Sequence, residues 1–537
     1  MKKLISVLLI PVLLFSVAAT GISAGALDYE LPLIYIAGYG CPIYLRGTDP
    51  DNHDNWIYPV VKDSDMILNY VTENKDILIN AVLTQNWSDF DDKLYEIICD
   101  LFKDLKLGPD GMPINDTLAD YEADYNSAYR RYIMSGSYDP NQWEYHYDWR
   151  LDPFDNMELL REYIGYVQQV TGHTEYAIAG RCHGANLALA YMEKYKDPNL
   201  KRVIFYASAA RGIDPIGEVF SGKIKLDADS VELFLYNTEF GLNYDIGGFF
   251  TLTDAVLREI ITDLSNLYGL DVALFAVNNA YGKIYEDIIP RTMRETLATF
   301  PGFWAMVGNE YYDDAMKLIF GGYEEEYAGL IEKIEHFHNT VGVRNIAIIK
   351  EAQQRGTKVY NIVKYGMPMW PVSERGKDLG DGFCTVRDAS FGATACKIDE
   401  TFNEKYIKAR EEQGNGKYIS PDKRIDASTS ILRDTTWFVS NIIHDEFYIE
   451  GDEEILHSIL TRDDFDIYSD EKYPQYLTYD KENDKFVPAD NTTTTVVDTW
   501  NEATDTAGRK MKPFLKFFYY IAAAFIALIS FRFRYYD

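Results

Sequence analysis

Residues Tyr176 to Gly184 read YAIAGRCHG, and the pattern from Ala185 onward is helical. Strand, glycine-x-cysteine-x-glycine, then helix is a succession that forces a sharp turn. Side chains at the two glycine positions would collide with the strand and the helix. Such a turn presents its central side chain, Cys182, and aims a helix N-terminus at it, which favours a thiolate or an oxyanion. Arg181 and His183 flank it and add positive or polar character that suits a nucleophilic thiol. The chemistry indicated is attack on an acyl carbon, for which a thiolate is competent. A cysteine among small residues is also a common buried apolar residue; the strand before it and the helix after it favour the nucleophile.

A nucleophile of this kind needs a base and an acid to orient the base. Three carboxylates, Asp378, Asp381 and Asp388, lie in a glycine-bearing loop beyond an apolar stretch, Lys358 to Val363. Two late histidines are available as base. His444 ends the strand-like run Trp437 to Ile443, whereas His457 sits within a helical pattern, Glu453 to Leu460. Order along the chain and position at a strand end favour His444. Metal ligation is not indicated: His336 and His338 in the Glu335 to His338 stretch stand at i, i+2, which does not put both on one helix face. No cofactor is expected.

The elements that must position these groups alternate. Leu31 to Ala37 is a buried strand entering the turn Gly38-Tyr39-Gly40. A helical stretch is expected from about 76 to 131, and Glu144 to Arg150 alternates like a strand. Asn156 to Val170 has helical spacing, Tyr176 to Ala179 and Val203 to Ala207 are strands, and Ala185 to Tyr195 is a helix. Strand and helix at this interval predict βαβ units and a mostly parallel sheet. From about 243 to 355 the pattern turns helical and aromatic, an expected insertion between sheet strands that would lie over the site as a lid. Trp304, in its turn-like segment Phe300 to Trp304, is a candidate substrate-binding residue or a member of the insertion's own core.

With 537 residues, 47% of them hydrophobic, the chain can bury a large core. Its 52 basic and 84 acidic residues give a net charge of −32, which repels polyanions and excludes nucleic acid as an expected partner. Residues 1–26 have the parts of a secretory signal: Lys2 and Lys3, an apolar stretch from Leu4 to Val17, and Ala24-Gly25-Ala26. Residues 27–490 are expected to form the catalytic domain and 491–512 a linker. Residues 513–531 form a candidate transmembrane helix with Lys516 snorkelling, and 532–537 a short tail. These ends predict an exported protein, secreted or held at the cell surface by a C-terminal helix. The five cysteines are an odd number, so at least one thiol stays free, and Cys182 is the expected one.

Four stretches carry a family resemblance. Pro32 to Gly40 (PLIYIAGYG), Tyr147 to Leu151 (YDWRL), Gly180 to Gly184, and Gly380-Asp381-Gly382 with Thr385-Val386 and Ala389-Ser390 resemble the lipase family that includes lecithin:cholesterol acyltransferase and related bacterial lipases. YDWRL is the most distinctive of these, because no packing argument alone demands it. Coverage runs from about Leu31 to Leu460, with a poorly matching middle. The departure is the nucleophile: such elbows usually read G-H-S-x-G, whereas this chain has Arg181 and Cys182. The resemblance implies an α/β-hydrolase fold, with a mostly parallel central sheet, helices on both faces and a large helical lid insertion. It also implies Asp381 as the acid, since it directly precedes Gly382, and backbone N–H groups of Tyr39 and His183 as the oxyanion hole. The implied activity is hydrolysis of a lipid or other hydrophobic acyl ester, or acyl transfer when an alcohol replaces water. A surface binding protein that kept the fold and lost the serine is the contrasting expectation.

Overall fold

The computed structural model describes residues 31–49, 52, 55–58, 77, 88–119, 142–224, 289–369, 374–444, 450–480, 483 and 485–491. The candidate signal at 1–26, the candidate transmembrane segment 513–531 and residues 243–288 of the expected insertion lie outside them. Among the described residues no helix is long and apolar enough to cross a membrane.

Eight strands form the central sheet: β1 (Leu33–Ile36), β2 (Gln142–Tyr145), β3 (Tyr176–Arg181), β4 (Leu200–Tyr206), β5 (Lys358–Tyr365), β6 (Thr436–Ser440), β7 (Tyr476–Asp480) and β8 (Lys485–Pro488). Their spatial order is β8-β7-β6-β5-β4-β3-β1-β2. All neighbours are parallel except β7 and β8. Runs such as Leu33–Ile36 and the apolar core of β4 are buried along their length, as strands covered on both sides must be. The protein is therefore α/β, with helices α1 (Ser88–Phe102), α2 (Met157–Thr171), α3 (Gly184–Tyr195) and α4 (Asp214–Ser221) joining or flanking the strands. α2 buries Met157, Leu160, Tyr163, Ile164 and Val167, one stripe at helical spacing.

Two expectations need correcting. The stretch from about 76 to 131 is not uniformly helical where it is described: α1 ends at Phe102, and Thr117–Ala119 is a strand in a small three-stranded sheet with Ile43–Leu45 and Trp56–Tyr58. Nor does strand β2 extend to Arg150. Tyr147 to Arg150 leave the sheet as a turn, in which Asp148 and Arg150 form a buried ion pair; aromatic alternation alone did not reveal where the ladder stops.

That turn also has a packing role. Arg150 donates to Asp148 Oδ1 and Oδ2, to Leu105 O and to Thr117 Oγ1, so one fully buried guanidinium ties the loop after α1 and the small sheet to the central sheet. Trp149 donates to Cys41 O, and the Cys41 thiol donates to Tyr147 O, joining this turn to the one after β1.

The described part of the insertion is helical: α5 (Pro301–Trp304), α6 (Asn309–Phe320), α7 (Ala328–Phe337) and α8 (Asn345–Gln354). It docks on the same turn. Gly302 donates to Arg150 O, a side chain at Gly302 would run into Trp149 O, and Phe303 stacks on Trp149 at 5.5 Å.

Candidate functional site

Parallel strands end on one side of a sheet, and groups placed just past those ends converge there. Here β1 runs into Gly38 to Gly40, β2 into Tyr147, β3 into Cys182, β4 into Ala207, β5 into the loop bearing Asp381, and β6 into His444. Backbone strain gathers at the same edge. Cys182, Ala207 and Asn441, each just past a strand end, have φ of 49°, 43° and 62°. Non-glycine residues there cost about 1–3 kcal/mol each and persist only where their surroundings hold them.

Cys182 is held tightly. Its N–H donates to Tyr206 O, and its carbonyl accepts from Ala185 and Ala209. A Cβ on Gly180 would lie 2.8 Å from the Ala185 Cα, and one on Gly184 would run into the Ile36 carbonyl, so the turn closes only with glycine at both places. The turn after β1 presses from the other side: a Cβ on Gly38 would stand 3.2 Å from Cys182 Cβ and 3.3 Å from Arg181 Nε. His183 is the N-cap of α3, where the backbone N–H has no intrahelical partner. Its imidazole is fully buried, and burial drives its pKa down to about 3, so the ring stays neutral. Tyr39 lies in the turn facing Cys182, with its ring on Trp149 and Phe303.

Asp381 and His444 meet. His444 Nδ1 and Asp381 Oδ2 are 2.8 Å apart, both side chains are buried, and the His444 N–H donates to Asp381 O. The other carboxylate oxygen, Oδ1, accepts from the N–H groups of Phe383 and Cys384 at 3.1 and 2.8 Å. Burial pulls the imidazole pKa down, but Asp381 and a thiolate at Cys182 push it up, and the net direction is well upward. Cys182 is thus close enough to His444 for its charge to be felt. Asp388 is engaged elsewhere, accepting from Thr385 and Arg387. Asp378 pairs with neither histidine among the described contacts, and His457 is carried on a separate helix, α9 (Glu450–Thr461).

Trp304 is built into the insertion's own core. It is buried, its indole N–H donates to Ala298 O, and Phe220, Tyr312 and Phe320 surround it.

Two residues that the sequence reading passed over belong to this site. Cys384, three residues after Asp381, is fully buried, and its thiol reaches toward Ala207 O at 3.8 Å. Burial raises its pKa, so it stays protonated. The ligand-type atoms of Asp381, Cys384 and His444 lie within 4.8 Å of one another, donor types that suit a thiophilic metal ion. Two of the three residues are already joined by the imidazole–carboxylate hydrogen bond. Lys364, buried in β5, donates to the carbonyls of Ile443 and His444 and fixes the backbone that carries the imidazole. A second lysine near the end of the mostly apolar stretch KVYNIVKY was the available signal. All five cysteines are free.

No protein-family model matches this chain, and no curated protein matches it.

Proposed function

We propose that the protein is an α/β-hydrolase of the lipase and lecithin:cholesterol acyltransferase kind, which hydrolyses esters of lipid or other hydrophobic acyl groups through Cys182, His444 and Asp381. The observation that carries this reading is the conjunction of a strained Cys182 at a strand–helix turn with a 2.8 Å His444–Asp381 hydrogen bond at the same sheet edge. The chain order nucleophile, acid, base is the one this fold class uses.

In this mechanism His444 takes the Cys182 proton, and Asp381 holds the imidazole with Nδ1–H toward Oδ2 and stabilises its charged form. The thiolate attacks the ester carbonyl carbon, a C–S bond forms, and the carbonyl electron pair moves to oxygen. Backbone N–H groups of His183 and Tyr39 receive that oxyanion; one such donor is worth roughly 3–4 kcal/mol. Collapse breaks the C–O bond, and the alcohol leaves with a proton from His444. Water, deprotonated by His444, then releases the acid and restores the thiol. An alcohol in place of that water makes the same cycle an acyl transfer.

The test is turnover of a panel of p-nitrophenyl esters of increasing acyl length by the full chain and by Cys182→Ala. The expected result is wild-type release of p-nitrophenol that the substitution abolishes. A signal that survives Cys182→Ala unchanged removes Cys182 as nucleophile. Absence of turnover in wild type, with ligand affinity retained, favours the binding protein.

A further inference from the structure

Among the described residues, a buried hydroxyl beside Cys182 has no partner. The hydroxyl of Tyr147 finds no hydrogen-bond partner among the described residues, although the residue is 1% exposed. Leaving a phenolic O–H unpaired in a protein interior is unfavourable, and native structures rarely tolerate it without a reason. The neighbouring polar groups of the YDWR turn are satisfied: Asp148 and Arg150 by each other, and Trp149 by Cys41 O. Within this turn and among the described residues, only the tyrosine is left with an unused donor.

Its position gives that donor a use. β1 and β2 pair in parallel with Ile36 opposite Tyr145, and Ala37 N–H donates to Tyr145 O, so the two strands leave the sheet at the same level. Tyr147 therefore stands beside the Gly38 turn, where a Cβ would touch Cys182. Its ring stacks on Tyr145 at 6.1 Å and lies 5.9 Å from the ring of His183, the residue next to the nucleophile. Burial holds the phenol pKa well above its ordinary value, and a thiolate at Cys182 is the next cause in size. The group is thus a permanent donor in the field of the Cys182 sulfur.

We propose that Tyr147 is a further catalytic residue, whose O–H donates a hydrogen bond to the acyl oxygen as Cys182 attacks, a side-chain third member of the oxyanion hole. This rests on the ester-hydrolase reading above. As the C–S bond forms and the carbonyl pair moves to oxygen, the phenol keeps its proton and its donor gains the partner it lacks in the free protein. The interaction strengthens as charge develops on that oxygen, so it lowers the barrier more than it tightens substrate binding.

The experiment is Tyr147→Phe, read three ways. A structural hydroxyl and a catalytic one predict opposite signs: removing an unpaired buried O–H should leave the melting midpoint unchanged or raise it, whereas removing an oxyanion donor should slow acylation about a hundredfold. Acylation is followed as the burst of p-nitrophenol, and alkylation of Cys182 by iodoacetamide, a displacement that forms no oxyanion, is measured in parallel. The expected result is a slower burst, little change in the ester concentration that half-saturates the burst rate, an unaltered alkylation rate and no loss of thermal stability. A burst within twofold of wild type overturns the role of Tyr147 and leaves the hydrolase reading standing. An equal fall in burst and alkylation also overturns it, because the hydroxyl then serves the thiolate. No release of p-nitrophenol by wild type, in burst or in steady state, with Cys182 still alkylated, sinks the hydrolase reading and this role with it.

Discussion

Among the described residues, two of the buried pairs of an aspartate with a cationic side chain differ in kind. Asp148 and Arg150 approach to 2.6 Å, and Asp381 and His444 to 2.8 Å; none of the four side chains is more than 4% exposed. Depth and shortness therefore do not mark a functional site. In the first pair a permanently charged guanidinium is saturated, with donors spent on Asp148, Leu105 and Thr117, and it has no protonation state to change. In the second, the cation exists only when a proton is present, and the Cys182 sulfur stands within its field. One pair is saturated by folding; the other keeps a proton that it can exchange.

The sharpest way to break this contrast is Asp381→Asn. Asparagine keeps a carbonyl oxygen for the N–H groups of Phe383 and Cys384, so the loop should fold. Its amide N–H₂ would face Nδ1, however, and select the wrong imidazole tautomer. We expect kcat to fall about ten-thousandfold with little change in unfolding free energy, measured by steady-state kinetics and urea denaturation. A large loss of stability without loss of rate would make Asp381 a second Asp148.

The converse substitution is Arg150→Met, which keeps the volume and strips the charge. It leaves Asp148 buried and uncompensated, and breaking a buried pair in this way costs about 3–5 kcal/mol. The expected outcome is a lower urea midpoint, with kcat near wild type while the protein remains folded. A rate loss exceeding tenfold at full folding would mean that the YDWR turn positions the site more directly than through its packing.

These pairs were unequally legible in the sequence. The sheet, the turn at Cys182 and the candidate partners Asp381 and His444 could be read because each rests on local pattern: an apolar run, paired glycines, and the order of groups along the chain. The packing role of Asp148 and Arg150 could not, because their partners Leu105 and Thr117 are 45 and 33 residues away from Arg150, and nothing local to YDWR names them. Cys384 and Lys364 were missed for the same reason: what matters is the neighbour across the sheet edge. For Trp304, aromatic character could not separate a lining residue from a core residue; its hydrogen bond to Ala298 places it in the insertion's core.

The smallest effect expected is also the one that separates the pairs most cleanly, because it depends only on which cation can lose its proton. Burial lowers and Asp381 raises the His444 pKa, and the net shift is upward from the ordinary value near 6.5. Below about pH 6.5 the imidazole is protonated in both the folded and the unfolded chain, and the ion pair's contribution to stability is fully present. Above that pH the unfolded chain gives up its proton while the folded protein retains it. The contribution then declines, and it is gone once the pH has passed the raised folded value. Arg150 stays charged throughout, so its pair has no such window. The destabilisation caused by His444→Gln should therefore be greatest near pH 6, by about 1.5–3 kcal/mol for a charged hydrogen bond, and shrink toward pH 9. That caused by Arg150→Met should stay level over the same range. Buried acids such as Asp152, held up at about 7 chiefly by burial, also tilt the pH dependence, but they do so in wild type and variants alike and cancel in the differences. Urea titrations of the three proteins at pH 6, 7.5 and 9 supply the comparison. A His444→Gln difference that stays level with pH would show that the imidazole carries no extra proton in the folded protein, and the two pairs would then differ in their partners but not in their charge.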